Sequence, residues 1–210
     1  MSRGLGDVYK RQKPGCPIIV DLNGDGLITV EDVDMKNVIP SLYWGFGNTF
    51  TYKNWDLDVF IYSQLGVDKY NDVYSWTSGR GLGNQTNNMS VYIKDVWHSE
   101  LNPNGTIPGI AYEMASVSLP GGAGTDIGYE NSSFVRVRNI TLGYNFKPNQ
   151  LGALSKLLSG IRVYVDVQNP FTFTGYTGLD PEVNTGGNYK GGKAEYPQTR
   201  TFSLGAKLSF

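Results

Sequence analysis

Trp55-Asp-Leu-Asp-Val-Phe-Ile-Tyr-Ser-Gln64 is the stretch from which the fold can be read. Trp55, Leu57, Val59 and Ile61 share one parity, and Asp56, Asp58, Tyr62 and Gln64 the other, with Phe60 the single apolar intruder on the polar side. Successive side chains of an extended backbone point to opposite faces, so this spacing predicts a strand with one greasy and one wet face. Ile161 to Gln168 repeats it, with Ile161, Val163, Val165 and Val167 against Arg162, Tyr164, Asp166 and Gln168. The final run does so again: Phe202, Leu204, Ala206, Leu208 and Phe210 alternate with Thr201, Ser203, Gly205, Lys207 and Ser209.

Two further strands are read around these. In Tyr43 to Tyr52, Trp44, Phe46, Phe50 and Tyr52 lie opposite Gly45, Gly47, Thr49 and Thr51, and Lys53-Asn54 reads as a tight turn into Trp55. Phe134 to Phe146 alternates with a change of phase, from Val135 and Val137 to Ile140, Leu142 and Tyr144. A bulge near Arg138 and Asn139 accounts for the slip. The strands are therefore expected near 43–52, 55–65, 134–146, 161–169 and 200–210, with one or two helical turns inside 150–158.

Composition narrows the classes of function. With 18 Lys+Arg against 19 Asp+Glu the net charge is -1, which leaves no basic footprint for nucleic acid. Cys16 and His98 are the single cysteine and histidine, so neither a disulfide framework nor a multi-histidine metal site can form. No histidine organises Asp56 and Asp58, whose i, i+2 spacing is ordinary same-face strand geometry, and the chain is read as non-enzymatic. The 27 glycines and 14 tyrosines suit strands and loops, and no apolar run is long enough for a spanning helix. Any membrane contact must use strands.

Each strand is about the ten residues that cross a ~25 Å apolar band at a tilt, whereas strands of soluble sandwiches average about five or six. The connections run short, long, short, long, the rhythm of an outer-membrane barrel with brief periplasmic turns and extended outer loops. The fold class expected is all-β, an antiparallel transmembrane β-barrel segment with long extracellular loops. A secreted or surface glycan-binding β module with a calcium-binding loop is the alternative.

Six motifs then converge on one family. Lys13-Pro-Gly with Asp21-Leu-Asn-Gly-Asp-Gly26, Trp97 with Asn102-Pro-Asn-Gly-Thr-Ile-Pro108, and Phe134-Val-Arg-Val-Arg-Asn-Ile-Thr-Leu-Gly-Tyr144 come first. Gln168-Asn-Pro-Phe-Thr-Phe-Thr174, Gly178-Leu-Asp-Pro-Glu-Val183, and Tyr196-Pro-Gln-Thr-Arg-Thr-Phe202 running to Phe210 follow in order. From residue 13 onward the chain resembles the carboxy-terminal portion of SusC/RagA-type TonB-dependent outer-membrane transporters of Bacteroidetes. Pro170, Gly109 and Asn131-Ser132 depart from that pattern. Residues 1–12 are similar to translated adapter sequence and are set apart from the fold.

The resemblance implies about five strands of a 22-stranded barrel, which needs on the order of 440 residues of strand and loop. It also implies residence in outer-membrane lipid and import of oligosaccharides or peptides. A SusD-like lipoprotein, a TonB complex reached through missing parts, and the barrel-assembly machinery are the implied partners.

Three groups of site residues are candidates. Asp21, Asn23, Asp25, Leu27, Thr29 and Asp32 stand at positions one, three, five, seven, nine and twelve of a calcium loop, with Gly26 at the sharp turn. Asp32 replaces the usual glutamate, and a self-satisfied Asp/Asn/Gly turn is the alternative to Ca2+. By strand parity this loop is expected on the extracellular side. Trp76, Trp97 and Tyr176 are candidate substrate contacts, since aromatic faces stack on sugar rings, and packing among the loops is the competing role. Phe202, Leu204, Leu208 and Phe210 resemble a barrel-assembly signal.

Overall fold

The computed structural model describes residues 20–71, 90–107, 128–183 and 196–210. The described residues fall into two compact units: 37–69, 131–183 and 196–210 form one, and 20–36, 70–71, 90–107 and 128–130 the other. The first holds a five-stranded antiparallel sheet.

Its strands are β1 (Leu42–Tyr52), β2 (Trp55–Leu65), β5 (Phe134–Phe146), β6 (Gly160–Thr174) and β7 (Thr201–Ser209), in spatial order β1-β2-β5-β6-β7. The short strands β3 (Asp68–Tyr70) and β4 (Tyr129–Asn131) pair separately. Every long strand thus lies beside its neighbour in sequence, the arrangement that local hairpins favour. Two short connections close one end of the sheet and two long ones leave the other.

Lys53 takes the left-handed conformation at φ 58°, which lets a two-residue turn follow the twist of the strands and sets Tyr52 opposite Trp55. The second short connection contains two short helical turns of the 3-10 type, Pro148–Gln150 and Gly152–Lys156, where one or two helical turns were expected within 150–158. Pro148 and Gly152, the latter at φ 55°, break the segment into pieces too short for an α-helix. The Asn54 amide donates to Gln150 Oε1 at 2.8 Å, joining the two turns.

The phase change in β5 is a bulge: the register slips between Phe60 and Ile61 on β2 and between Val137 and Asn139 on β5. Across from it, β6 continues through Asn169 and Pro170 to Thr174, five residues past the end expected at 169. Asn169 is left-handed at φ 49°, and Pro170 falls where the ladder is already interrupted, so its missing N–H removes no hydrogen bond.

The register sorts the two faces. Val59, Ile140, Val167 and Phe202 form one cross-strand row, and Leu57, Leu142, Val165 and Leu204 the next. Between the two rows, Asp58, Thr141, Asp166 and Ser203 line up on the opposite face. The apolar face is open rather than covered: Phe202 is 72% exposed and Leu204 77%. Near the short-turn end, Trp55, Tyr144 and Phe146 meet edge to face, with centroids 4.8 and 4.7 Å apart. Trp44, Phe171 and Phe173 stand exposed towards the other end. Buried apolar groups such as Val67 and Phe134 gather there, where the long connections depart.

Candidate functional site

The polar face carries a hydrogen-bonded lattice of side chains. At its short-turn end Asp56 lies against Arg162, and the Asn145 amide donates to Asp56 Oδ1 at 2.5 Å. The pair sits over Gly143, where a Cβ would come within 2.5 Å of Asp56 Oδ2 and 2.7 Å of the Arg162 guanidinium. Glycine is required here so that a long side chain can lie flat along the wall. Tyr164 lies over Gly205 in the same way. One row along, the Thr49 hydroxyl donates to Asp58 and the Thr141 hydroxyl to Asp166, at 2.5 and 2.6 Å.

At the other end the same face holds Arg136, which is 1% exposed. Its Nη2 donates to Asp180 Oδ1 at 2.8 Å, its Nη1 to Glu182 Oε2 at 2.5 Å, and its Nε to Thr172 Oγ1 at 2.9 Å. Asp180 also accepts from the backbone N–H groups of Glu182 and Gln198, at 2.8 and 2.9 Å. Desolvation is the largest influence on the Asp180 carboxyl and raises its pKa. The Glu182 N–H, Arg136 and the Gln198 N–H together outweigh it and hold the group below the ordinary aspartate value. Lys69 Nζ donates to the carbonyls of Pro181 and Val183. This cluster was not anticipated from sequence, although Arg136 and the 178–183 motif were both noted separately. A polar residue at a lumen-parity position followed by a distant Asp-Pro-Glu was the available signal.

In the other unit, the Asp21 loop is a self-bonded turn. Asp21 accepts from the N–H of Gly24 and Gly26 at 2.7 and 2.8 Å, and Asp25 from that of Leu27 at 2.7 Å. Asp32 accepts from Leu22, Asn23 and Thr29, at 2.9, 3.4 and 2.7 Å. These bonds, led by the one from Thr29, lower its pKa against a smaller desolvation effect. Gly24 and Gly26 take the left-handed turns at φ 76° and 81°. Among the described residues no three acidic, histidine or cysteine side chains converge as a metal-ion cluster.

The remaining candidates scatter. Trp76 lies outside the described residues. Trp97 is half-buried in a tight loop where its N–H donates to the Ile107 carbonyl. Tyr176 is 8% exposed, its ring lying over Gly178, so it presents no open stacking face. Phe202, Leu204, Leu208 and Phe210 are exposed, and the three on β7 occupy its apolar side.

A sheet with one open apolar face, an aromatic border and a hydrogen-bonded polar face is a wall segment of a transmembrane β-barrel, unclosed within this chain. No helix among the described residues is long and apolar enough to cross a membrane, which is silent on crossing by strands.

No family model matches the chain. It is 31% identical over 206 residues to TonB-dependent receptor P3 of Formosa agariphila, covering 94% of this chain and 19% of that protein. Against TonB-dependent receptor SusC of Bacteroides thetaiotaomicron it is 33% identical over 201 residues, covering 94% and 18%. A solved structure of the RagAB peptide transporter superposes with a TM-score of 0.63 at 25% identity, covering 83% of this chain and 18% of that one. The RagAB peptide importer in its open-open state gives 0.62 at 27%, with the same coverage. Over 94% of its length the chain is similar to TonB-dependent receptors of the SusC type, and it resides in the bacterial outer membrane. It spans about a fifth of the length of the curated relatives it matches.

Proposed function

We propose that this chain supplies part of the wall and outer connections of an active transporter that imports oligosaccharides or peptides across the outer membrane. Energy from a TonB complex enters through parts of the receptor outside this chain, and a SusD-like lipoprotein covers the outer mouth. The barrel-assembly machinery inserts the whole. The observation that carries this reading is the two-faced sheet, with Phe202 and Leu204 bare on one side and the Asp58, Thr141 and Asp166 row on the other. RagAB is described as a peptide transporter, and SusC as a TonB-dependent receptor.

The Asp21 loop is proposed as a Ca2+ loop outside the sheet. Asp21, Asn23, Asp25, Thr29 and Asp32 offer hard side-chain oxygens, and Leu27 its carbonyl, in the order that calcium loops use. In this role the ion stiffens a connection and takes no part in chemistry.

The test is uptake by cells carrying the intact receptor, measured with a panel of fluorescent oligosaccharides and oligopeptides. Loss of uptake of at least one class on deletion of the receptor gene, restored by the gene and abolished without TonB, is the expected result. Unchanged uptake of every member of both classes overturns the proposal.

A further inference from the structure

The first leg of the connection that leaves β6, residues 175–183, does not stand away from the sheet as outer loops commonly do. Asp180 and Glu182 reach back to Arg136 on the polar face of β5, and the side chain of Asp180 is as buried as its partner, at 5% and 2% exposure. Placing a guanidinium and a carboxylate out of water is costly unless their remaining donors and acceptors are satisfied. Here each guanidinium nitrogen of Arg136 donates a hydrogen bond, and Asp180 accepts two backbone N–H groups in addition to the guanidinium. Those two groups belong to Glu182 and Gln198, so one carboxylate ties both the outgoing and the returning leg. Lys69 holds the outgoing leg a second time through the Pro181 and Val183 carbonyls. At its root the Thr174 hydroxyl donates to the Ser133 carbonyl at 2.8 Å and accepts the Tyr176 N–H at 3.1 Å.

We propose that residues 176–183 form an inward-folded shelf, docked on the lumen face of the barrel wall, that narrows the outer mouth, and that Arg136 is its positioning residue. Arg136 fits this role because a guanidinium engages two carboxylates and a hydroxyl in one plane, which a lysine ammonium cannot do. The lumen assignment rests on the barrel reading, whereas the docking itself does not. A shelf held by buried charges excludes substrates by size at a fixed aperture, in contrast to a free loop that yields to them.

The experiment is peptide-resolved hydrogen exchange on the intact receptor in detergent. In the parent protein, peptides covering 176–183 and 196–200 are expected to exchange slowly. Arg136→Met is expected to speed both by at least about tenfold while peptides from the β6 stretch 161–167 stay unchanged. Arg136→Lys is expected to restore part of the protection, which a general loosening of the barrel would not do. Rapid exchange of 176–183 in the parent, or unchanged protection in Arg136→Met, overturns the proposal. If Arg136→Met also speeds the β6 peptides, Asp180→Asn takes its place, since it leaves β5 intact. Protection of 176–183 that survives Asp180→Asn then overturns it.

Discussion

Replacing Phe202 with arginine should damage the protein, whereas replacing its neighbour Ser203 with arginine should not. Phe202 shares a cross-strand row with Val167, which stands four residues from Val163 and four from Phe171. Four residues at ~3.4 Å, tilted by ~40°, place that row about 10 Å from either border, near the middle of the apolar band. Arginine facing lipid at the midplane costs about 2–4 kcal/mol, or roughly 30- to 900-fold in the folding equilibrium. Val163 pairs with Tyr144 beside the aromatic border, so Val163→Arg should cost only about 0–1 kcal/mol. Ser203 faces the other way, opposite Asp166, and an arginine there gains an opposite charge. The assay is refolding of the intact receptor into phospholipid vesicles across a urea series, with the folded fraction read from heat-modifiable gel mobility. A packed protein interior would penalise Val163→Arg and Phe202→Arg alike, and an exposed soluble surface would penalise neither. Equal costs at those two positions, or a Ser203→Arg cost as large as that of Phe202→Arg, would refute the two-faced wall.

Gly143→Val should destabilise the wall by about 1–3 kcal/mol, because its side chain would meet the Asp56 and Arg162 pair at 2.5 to 2.7 Å. The same urea series measures it, and an unchanged midpoint would show that the pair moves aside freely. Calcium should raise the melting temperature of the intact receptor, and Asp21→Ala with Asp25→Ala should abolish that rise. Stabilisation that persists in the double variant would assign the ion elsewhere.

The strands were legible because alternation is local. Val163 and Arg162 point to opposite faces in any extended backbone, whatever lies beside them, and a phase slip such as that after Val137 can arise only from an extra residue. That residues 21–32 form a tight turn was legible for the same reason, since its hydrogen-bond partners lie within about a dozen residues. The continuation of β6 through Pro170 was not, because a proline ends most strands. It is tolerated here only because the β5 bulge faces it, a fact about two strands at once.

What the sequence by itself determined is therefore which side chains share a face, and from that which face meets lipid. Only the tertiary structure decided that β2 pairs with β5 across the long connection between them. It alone seated Arg136 beside an aspartate 44 residues away. Side-chain parity is a property of the pleat and needs no partner. A buried ion pair exists only once the chain has closed, when the cost of desolvating each charge is offset by a group that composition and spacing do not name.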